Sequence, residues 1–196
     1  MKRPPRVGLF GGSFDPIHVG HLLMAERAVE ELGLDRLFFI PNDSSPLKSR
    51  APLASGRDRL AMVRAATRGN PRFGVLDLEI RRGGTSYSFD TVAALTGRET
   101  ARMYFLIGAD AAADLAKWHR ARELARRVTF AVVRRPGTRS TRPPAWVGRW
   151  VEVAAPLVDV SSTEVRERIR RGKSIRYLVP DAAAAVVRRR GLYRDP

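Results

Sequence analysis

The sequence predicts an α/β fold: a doubly wound parallel sheet with helices on both faces. Three observations carry that expectation. Short apolar runs alternate along the 196 residues with stretches whose apolar positions recur at helical spacing. Two of these runs, Met103-Tyr-Phe-Leu-Ile-Gly108 and Val128-Thr-Phe-Ala-Val-Val133, are too apolar for a sheet with a wet face and read as strands covered on both sides. The first run ends in Gly11-Gly12 and a helix follows almost at once, a strand–turn–helix join. No repeat or linker interrupts the alternation, so residues 1–196 read as one domain.

Taken in order, Val7, Leu9 and Phe10 form a short buried strand. A helix follows through Leu22, Leu23, Ala25, Ala28, Val29 and Leu32, with Gly33 placed to end it. Arg36-Leu-Phe-Phe-Ile-Pro41 is the second strand, and Asn42 to Leu53 a polar, proline-bearing loop. Ser55 and Asp58 open a helix through Leu60, Met62, Val63 and Ala66, stopped at Gly69. Phe73-Gly-Val-Leu-Asp-Leu-Glu79 alternates as a third strand. Arg81 to Ser86 is a loop, and Ser88 to Leu95 a short helix with Phe89, Val92 and Ala93 inward. After the central strand at Met103 come helices over Ala109–Leu115 and Arg120–Arg127, then the strand from Val128. Pro136 to Pro144 is a surface loop rich in Gly, Pro, Ser, Thr and Arg. Val151-Glu-Val-Ala-Ala155 is the last strand, and helices at Ser162–Arg171 and Asp181–Arg190 close the chain.

Composition narrows the class. Hydrophobic residues make up 44%, enough for a real core, and there is no cysteine, so disulfides and thiolate metal sites are excluded. Met1-Lys-Arg-Pro-Pro runs directly into a strand and resembles no signal peptide, and no apolar run reaches the roughly 18 residues of a membrane span, so a cytoplasmic location away from membranes is expected. The formal net charge of +16 favours anionic partners, nucleic acid among them. Nearly all of it is arginine, with lysine only at Lys2, Lys48, Lys117 and Lys173, and it is spread over nearly every helix. A nucleic-acid module would instead interleave basic residues with stacking aromatics on one face.

In a parallel sheet, ligands bind beyond the carboxyl ends of the strands, where the strand order reverses. The turn after the first strand, the Gly108-Ala-Asp110 turn and the Ser161-Ser-Thr163 turn all fall there. The first of these is the richest. Its glycines allow close backbone approach, and His18 and His21, three apart at a helix start, share a face beside the positive end of the helix dipole and its free N–H groups. Spacing alone leaves three roles open for the histidines: metal ligands, ordinary first-turn residues, or donors to phosphate.

Gly11-Gly-Ser-Phe-Asp-Pro-Ile-His-Val-Gly-His21 resembles the [HT]-x-G-H signature of the nucleotidyltransferase superfamily. Ser161-Ser-Thr-Glu-Val-Arg166 is similar to its second element, I-S-S-T-x-[IV]-R. Within that superfamily the chain resembles bacterial nicotinate-nucleotide adenylyltransferase through Thr85-Ser-Tyr-Ser-Phe-Asp-Thr91, Gly108-Ala-Asp-Ala111, Lys117-Trp118, Ser174-Ile-Arg-Tyr-Leu-Val-Pro180 and Gly191-Leu-Tyr193. The likeness covers almost the whole chain. It implies a Rossmann-like fold in which residues 161–196 form a C-terminal helical part that completes an ATP site.

The implied reaction transfers AMP from ATP to the 5′-phosphate of nicotinate mononucleotide. ATP would be held by Gly11, Gly12, Ser13, Phe14, His18, His21, Gly108, Asp110, Ser161, Ser162 and Arg166, of which His18, His21 and Arg166 would act in catalysis. Nicotinate mononucleotide would be held by Lys48, Thr85, Tyr87, Asp110, Trp118 and His119, with Trp118 stacked on the pyridine. Mg²⁺ would be carried mainly by the ATP phosphates, and no residue is assigned as a metal ligand. Trp146 and Trp150 match no motif and are expected in packing.

Two departures stand out. Where the family often has P-P-H-K, this chain has Ser45-Pro-Leu-Lys48, and His119 replaces the aromatic that commonly follows the stacking tryptophan. Nicotinamide mononucleotide and phosphopantetheine are the alternative acceptors, and a basic nucleic-acid-binding protein is the alternative from another class. A homo-oligomer is compatible with the sequence.

Overall fold

The computed structural model describes residues 3–47, 50–95, 101–134, 142–156 and 158–194. Six parallel strands form one sheet in the order β3-β2-β1-β4-β5-β6. They are β1 (Arg6–Gly12), β2 (Arg36–Pro41), β3 (Phe73–Val75), β4 (Arg102–Gly108), β5 (Thr129–Arg134) and β6 (Trp150–Ala154). The chain builds outward from β1 to β3, then crosses back to place β4 on the other side of β1. Loops leaving β1 and β4 therefore diverge, which opens a crevice at the carboxyl ends of these two central strands.

The alternation of side chains explains how both faces are covered. On β4, Tyr104 and Leu106 face one core while Met103, Phe105 and Ile107 face the other. The first core receives helices α1 (Val19–Leu32), α2 (Gly56–Thr67), α7 (Ser162–Arg170) and α8 (Asp181–Arg189), through residues such as Val29, Val63, Val165 and Val187. The second receives α4 (Ser88–Leu95), α5 (Ala109–Ala113) and α6 (Ala121–Arg127), through Phe89, Val92, Ala112 and Leu124. The edge strands β3 and β6 are shorter and less buried. Trp146 and Trp150 pack against the second core, as expected.

Caps set the helix ends. Gly33 closes α1 at φ 57°, ψ 46°, and the Leu34 N–H returns to the Val29 carbonyl at 3.0 Å. At the start of α2, the Ser55 hydroxyl oxygen accepts the Asp58 N–H at 3.1 Å.

The structure departs from the sequence reading in the stretch after β3. The expected strand to Glu79 stops at Val75, although the Leu76 N–H still donates to the Phe39 carbonyl at 2.9 Å. The chain then turns into a short helix, α3 (Leu78–Arg82). Alternation of Leu76 and Leu78 with Asp77 and Glu79 suggested a wet face, but Glu79 is turned inward and only 6% exposed. Arg81 and Arg82 belong to α3, and the expected loop contracts to the residues after it, beginning at Gly83 and Gly84 with positive φ. The helix expected over Ala109–Leu115 ends at Ala113 and gives way to a 3₁₀ turn, Leu115–Lys117. Residues 136–141 of the expected Pro136–Pro144 loop lie outside the described residues.

Because Gly33 sits in the left-handed region, Gly33→Ala should lower the unfolding free energy by about 1 kcal/mol in chemical denaturation, with activity unchanged.

Candidate active site at the switch point

A cavity of about 650 Å³ opens at the carboxyl ends of β1 and β4. Two of its walls come from turns singled out in the sequence, the Ser161-Ser-Thr163 turn does not reach it, and a third wall comes from elsewhere. Gly11, Gly12 and Ser13 form one, Gly108 and Asp110 another, and Tyr87, Trp118 and His119 a third. Asn42 and Leu47 of the β2–α2 loop close it from the side. Lys48 lies outside the described residues. Thr85 is exposed at the rim, bridged to Ser44, while its neighbours Ser86 and Tyr87 line the cavity. Phe14, His18, His21, Ser161, Ser162 and Arg166 do not line it. They gather instead around the β1–α1 turn and the start of α7.

At that turn, sterics and hydrogen bonds give each residue a definite task. Phe14 adopts φ 47° and buries its ring against Phe10 and Phe39, at centroid distances of 5.5 and 5.7 Å. His18 caps α1, and its imidazole lies 3.7 Å from that of His21, centroid to centroid. The His18 N–H donates to His21 Nδ1 at 3.2 Å. A neutral His21 that accepts at Nδ1 must carry its proton on Nε2, so the ring presents an N–H donor at its far edge.

The expectation of free backbone N–H groups at the start of α1 needs correction. Besides the His18 amide, the Val19 N–H donates to the Leu178 carbonyl at 2.9 Å and the His21 N–H to the His18 carbonyl at 3.0 Å. The dipole remains.

The start of α7 is bound to the same turn. The Ser161 hydroxyl oxygen accepts the Glu164 N–H at 3.1 Å and caps the helix. Ser162 donates its hydroxyl to the Pro16 carbonyl at 2.8 Å, and Arg166 Nη1 donates to the Asp15 carbonyl at 2.7 Å. Arg166 also donates through Nη2 to Thr163 Oγ1 at 3.1 Å. Both end motifs of the chain are thus joined by direct hydrogen bonds.

Four residues that form the site had no role assigned from the sequence: Arg59 and Glu79, and Asp15 and Tyr193, which appeared only as parts of motifs. The Asp15 carboxylate accepts the Leu53 and Ala54 amides at 2.8 and 3.0 Å and the Tyr193 hydroxyl at 2.8 Å. Burial, reinforced by Asp15, pushes the Tyr193 pKa far above the ordinary tyrosine range, so this hydroxyl stays a donor. Arg59 is 1% exposed, and burial pulls its pKa down while Asp15 and Asp43 push it back up. Preceded by Arg57 and Asp58, Arg59 carries no local signal of its burial.

The pyridine end of the cavity is built from rings. Tyr87 and His119 lie 4.4 Å apart at 37°, and Trp118 meets Phe105 edge-on at 5.9 Å. Trp118 is half-buried, open to the cavity on one side. Glu79 also lines the cavity, and the Thr91 hydroxyl donates to its Oε1 at 2.5 Å. The loop after α3 is laced to the β2–α2 loop: the Ser86 N–H donates to the Ser44 carbonyl and the Gly84 N–H to Asp43 Oδ2, both at 2.9 Å.

Residues 9–168 match the cytidylyltransferase-like family, which places this parallel α/β chain in that class. Relatives along nearly the full length narrow this further. The chain is 43% identical over 189 residues to a protein of Exiguobacterium sibiricum named probable nicotinate-nucleotide adenylyltransferase, covering 96% of this chain and 98% of that one. A Salinibacter ruber protein of the same name is 44% identical over 190 residues, with 96% and 97% covered. On these matches the chain belongs to the bacterial nicotinate-nucleotide adenylyltransferase family. The fold is also that of the Plasmodium falciparum nicotinic acid mononucleotide adenylyltransferase complexed with NaAD, at TM-score 0.80 and 18% identity over 96% of this chain and 97% of that one.

Burial raises the Glu79 pKa, and the Thr91 and Ser86 hydroxyls and Arg82 recover only part of that rise. The folded carboxyl therefore binds its proton more tightly than the unfolded one. The associated stability is present below the unfolded pKa and is lost as the pH rises through the folded one. In denaturation between about pH 4 and pH 8, the stability of the wild type relative to Glu79→Gln should fall as the pH rises. A pH-independent difference would contradict this.

Proposed function

We propose that this chain transfers AMP from ATP to nicotinate mononucleotide, giving nicotinate adenine dinucleotide and pyrophosphate. The observation that carries this reading is the single cavity with the Gly11–Ser13 turn on one side and the Tyr87–Trp118–His119 wall on another. Such a cavity offers phosphate-approaching backbone and a ring platform within one space, as joining two nucleotides requires.

In this reading the acceptor phosphate is the nucleophile, and no protein nucleophile is needed. An oxygen of the 5′-phosphate forms a bond to the α-phosphorus of ATP. The bond from that phosphorus to the bridging α–β oxygen breaks, and pyrophosphate leaves with the electron pair. What remains for the protein is alignment and stabilisation of developing charge. His21 Nε2–H is the donor best placed for the α-phosphate, and His18 supports it by holding the ring. The first turn of α7 supplies its dipole, and Arg166 supplies charge from a guanidinium already fixed against Asp15 and Thr163. Ser162 acts through the turn it staples. Gly11, Gly12 and Ser13 approach the phosphates with backbone. Asp110 at the first turn of α5 faces a ribose.

Trp118 is the platform for the pyridine ring, with Tyr87 and His119 packed beside it. Among the described residues, no three His, Asp or Glu side chains gather as metal ligands. Magnesium enters this scheme with ATP, held by phosphate oxygens and water.

The reaction is tested by pyrophosphate release from Mg-ATP with nicotinate mononucleotide, nicotinamide mononucleotide and phosphopantetheine in turn. Release is expected with the first, and release only with phosphopantetheine would overturn the reading. His21→Ala should lower kcat by at least about 10²-fold with an unchanged circular dichroism spectrum; wild-type turnover would remove His21 from the mechanism. Trp118→Ala should raise the KM for the pyridine substrate and leave the KM for ATP little changed. An unchanged pyridine KM would assign Trp118 to packing alone.

A further inference from the structure

Arg59 is the largest fully buried side chain among the described residues, on a helix whose other buried residues are Leu60, Met62, Val63 and Thr67. Its guanidinium makes no hydrogen bond to a carboxylate. It donates to four backbone carbonyls: Nε to Ala54 at 3.1 Å, Nη1 to Ser13 at 2.8 Å and to Asn42 at 2.6 Å, and Nη2 to Asp43 at 3.0 Å. Burying a charge this way is costly, and for stability alone an apolar side chain of similar volume serves as well or better.

What the guanidinium supplies is geometry. Ser13 belongs to the β1–α1 turn, Asn42 and Asp43 to the β2–α2 loop, and Ala54 to the approach to α2. A planar fork with fixed donor directions sets the spacing of these carbonyls, as a flexible ammonium would not. Ser13 and Asn42 both line the cavity, from different sides. The Asp43 N–H donates to Ser86 Oγ at 3.1 Å, which carries the constraint on to the segment bearing Tyr87. Asp15 ties the first of these segments to the third a second time, through the Leu53 and Ala54 amides.

We propose that Arg59 is a positioning residue which sets the spacing between the turn that receives ATP and the loop that faces the acceptor nucleotide. It touches neither substrate. The proposal rests on the adenylyltransferase reading, and it assigns to one side chain the alignment on which attack at the α-phosphate depends.

The test compares Arg59→Lys and Arg59→Gln with Val63→Ala, a fully buried apolar position on the same helix. Arg59→Lys keeps the charge without the fork, and Arg59→Gln leaves no unpaired charge in the core. Thermal melting, kcat and the KM for ATP and for nicotinate mononucleotide are measured for each. Both Arg59 variants should lose about 10²-fold in kcat/KM toward each substrate. Val63→Ala, at a similar loss of melting temperature, should keep both constants within about twofold of wild type.

Three results would overturn the proposal: wild-type kinetics in either Arg59 variant, an equal kinetic loss in Val63→Ala, or failure of both Arg59 variants to fold at room temperature. The last would make Arg59 a folding residue only. A wild-type chain that releases no pyrophosphate with any acceptor would instead defeat the adenylyltransferase reading itself, and the proposal with it.

Discussion

The buried carboxylate of Asp15 is the constraint from which the rest of the site is hung. It is 6% exposed and accepts two backbone amides and a tyrosine hydroxyl, so the cost of taking its charge out of water is offset by donors from two distant parts of the chain. Leu53 and Ala54 precede α2, and Tyr193 follows α8, 178 residues along the sequence. The Asp15 backbone carbonyl meanwhile receives Arg166 from α7. A short glycine-rich turn would otherwise be a soft element. Here its centre is held by the segment before α2 and by the C-terminal helices.

This arrangement explains why the C-terminal helices belong to the site and not merely to the core. α7 and α8 add little to the sheet, but they place Arg166, Ser162 and Tyr193 against the β1–α1 turn, and the Leu178 carbonyl takes the first amide of α1. Arg190 pairs with Asp58 and fastens α8 to α2 at the far end. The imidazoles of His18 and His21 stand where these restraints meet. The His18 amide orients the His21 ring before any ligand arrives, and a preorganised donor of this kind stabilises charge without reorganising.

Much of this was legible in the sequence, and the losses have physical causes. The bounds of β2, the left-handed stop at Gly33 and the capping by Ser55 were all readable, because each depends on local chemistry: apolar runs, a residue without Cβ, a hydroxyl near an orphan amide. The strand after Phe73 failed where tertiary context intervened, since the inward turn of Glu79 toward Thr91 leaves no trace in local alternation. Free amides at the start of α1 were expected from the helix itself, yet Leu178, far along the chain, takes one of them. Asp15, Arg59 and Tyr193 were left without a role for the same reason. Asp15 and Tyr193 fall inside motifs and Arg59 among charged neighbours, but each acquires its role only from partners in other segments. The cavity wall was half legible: Tyr87, Trp118 and His119 were named, but Thr85 sits at the rim while Ser86 and Asn42 line the space.

The central claim is that two nucleotides are joined at the switch point, with phosphates between the Gly11–Ser13 wall of the cavity and the histidine turn beside it, and the pyridine on Trp118. The most direct measurement is a crystal structure of the chain with nicotinate adenine dinucleotide bound. The account predicts the nicotinate ring stacked on Trp118 and the dinucleotide phosphates between His21 and the first turn of α7. A dinucleotide whose phosphates lie away from Gly11–His21, or whose pyridine leaves Trp118 uncovered, would contradict it.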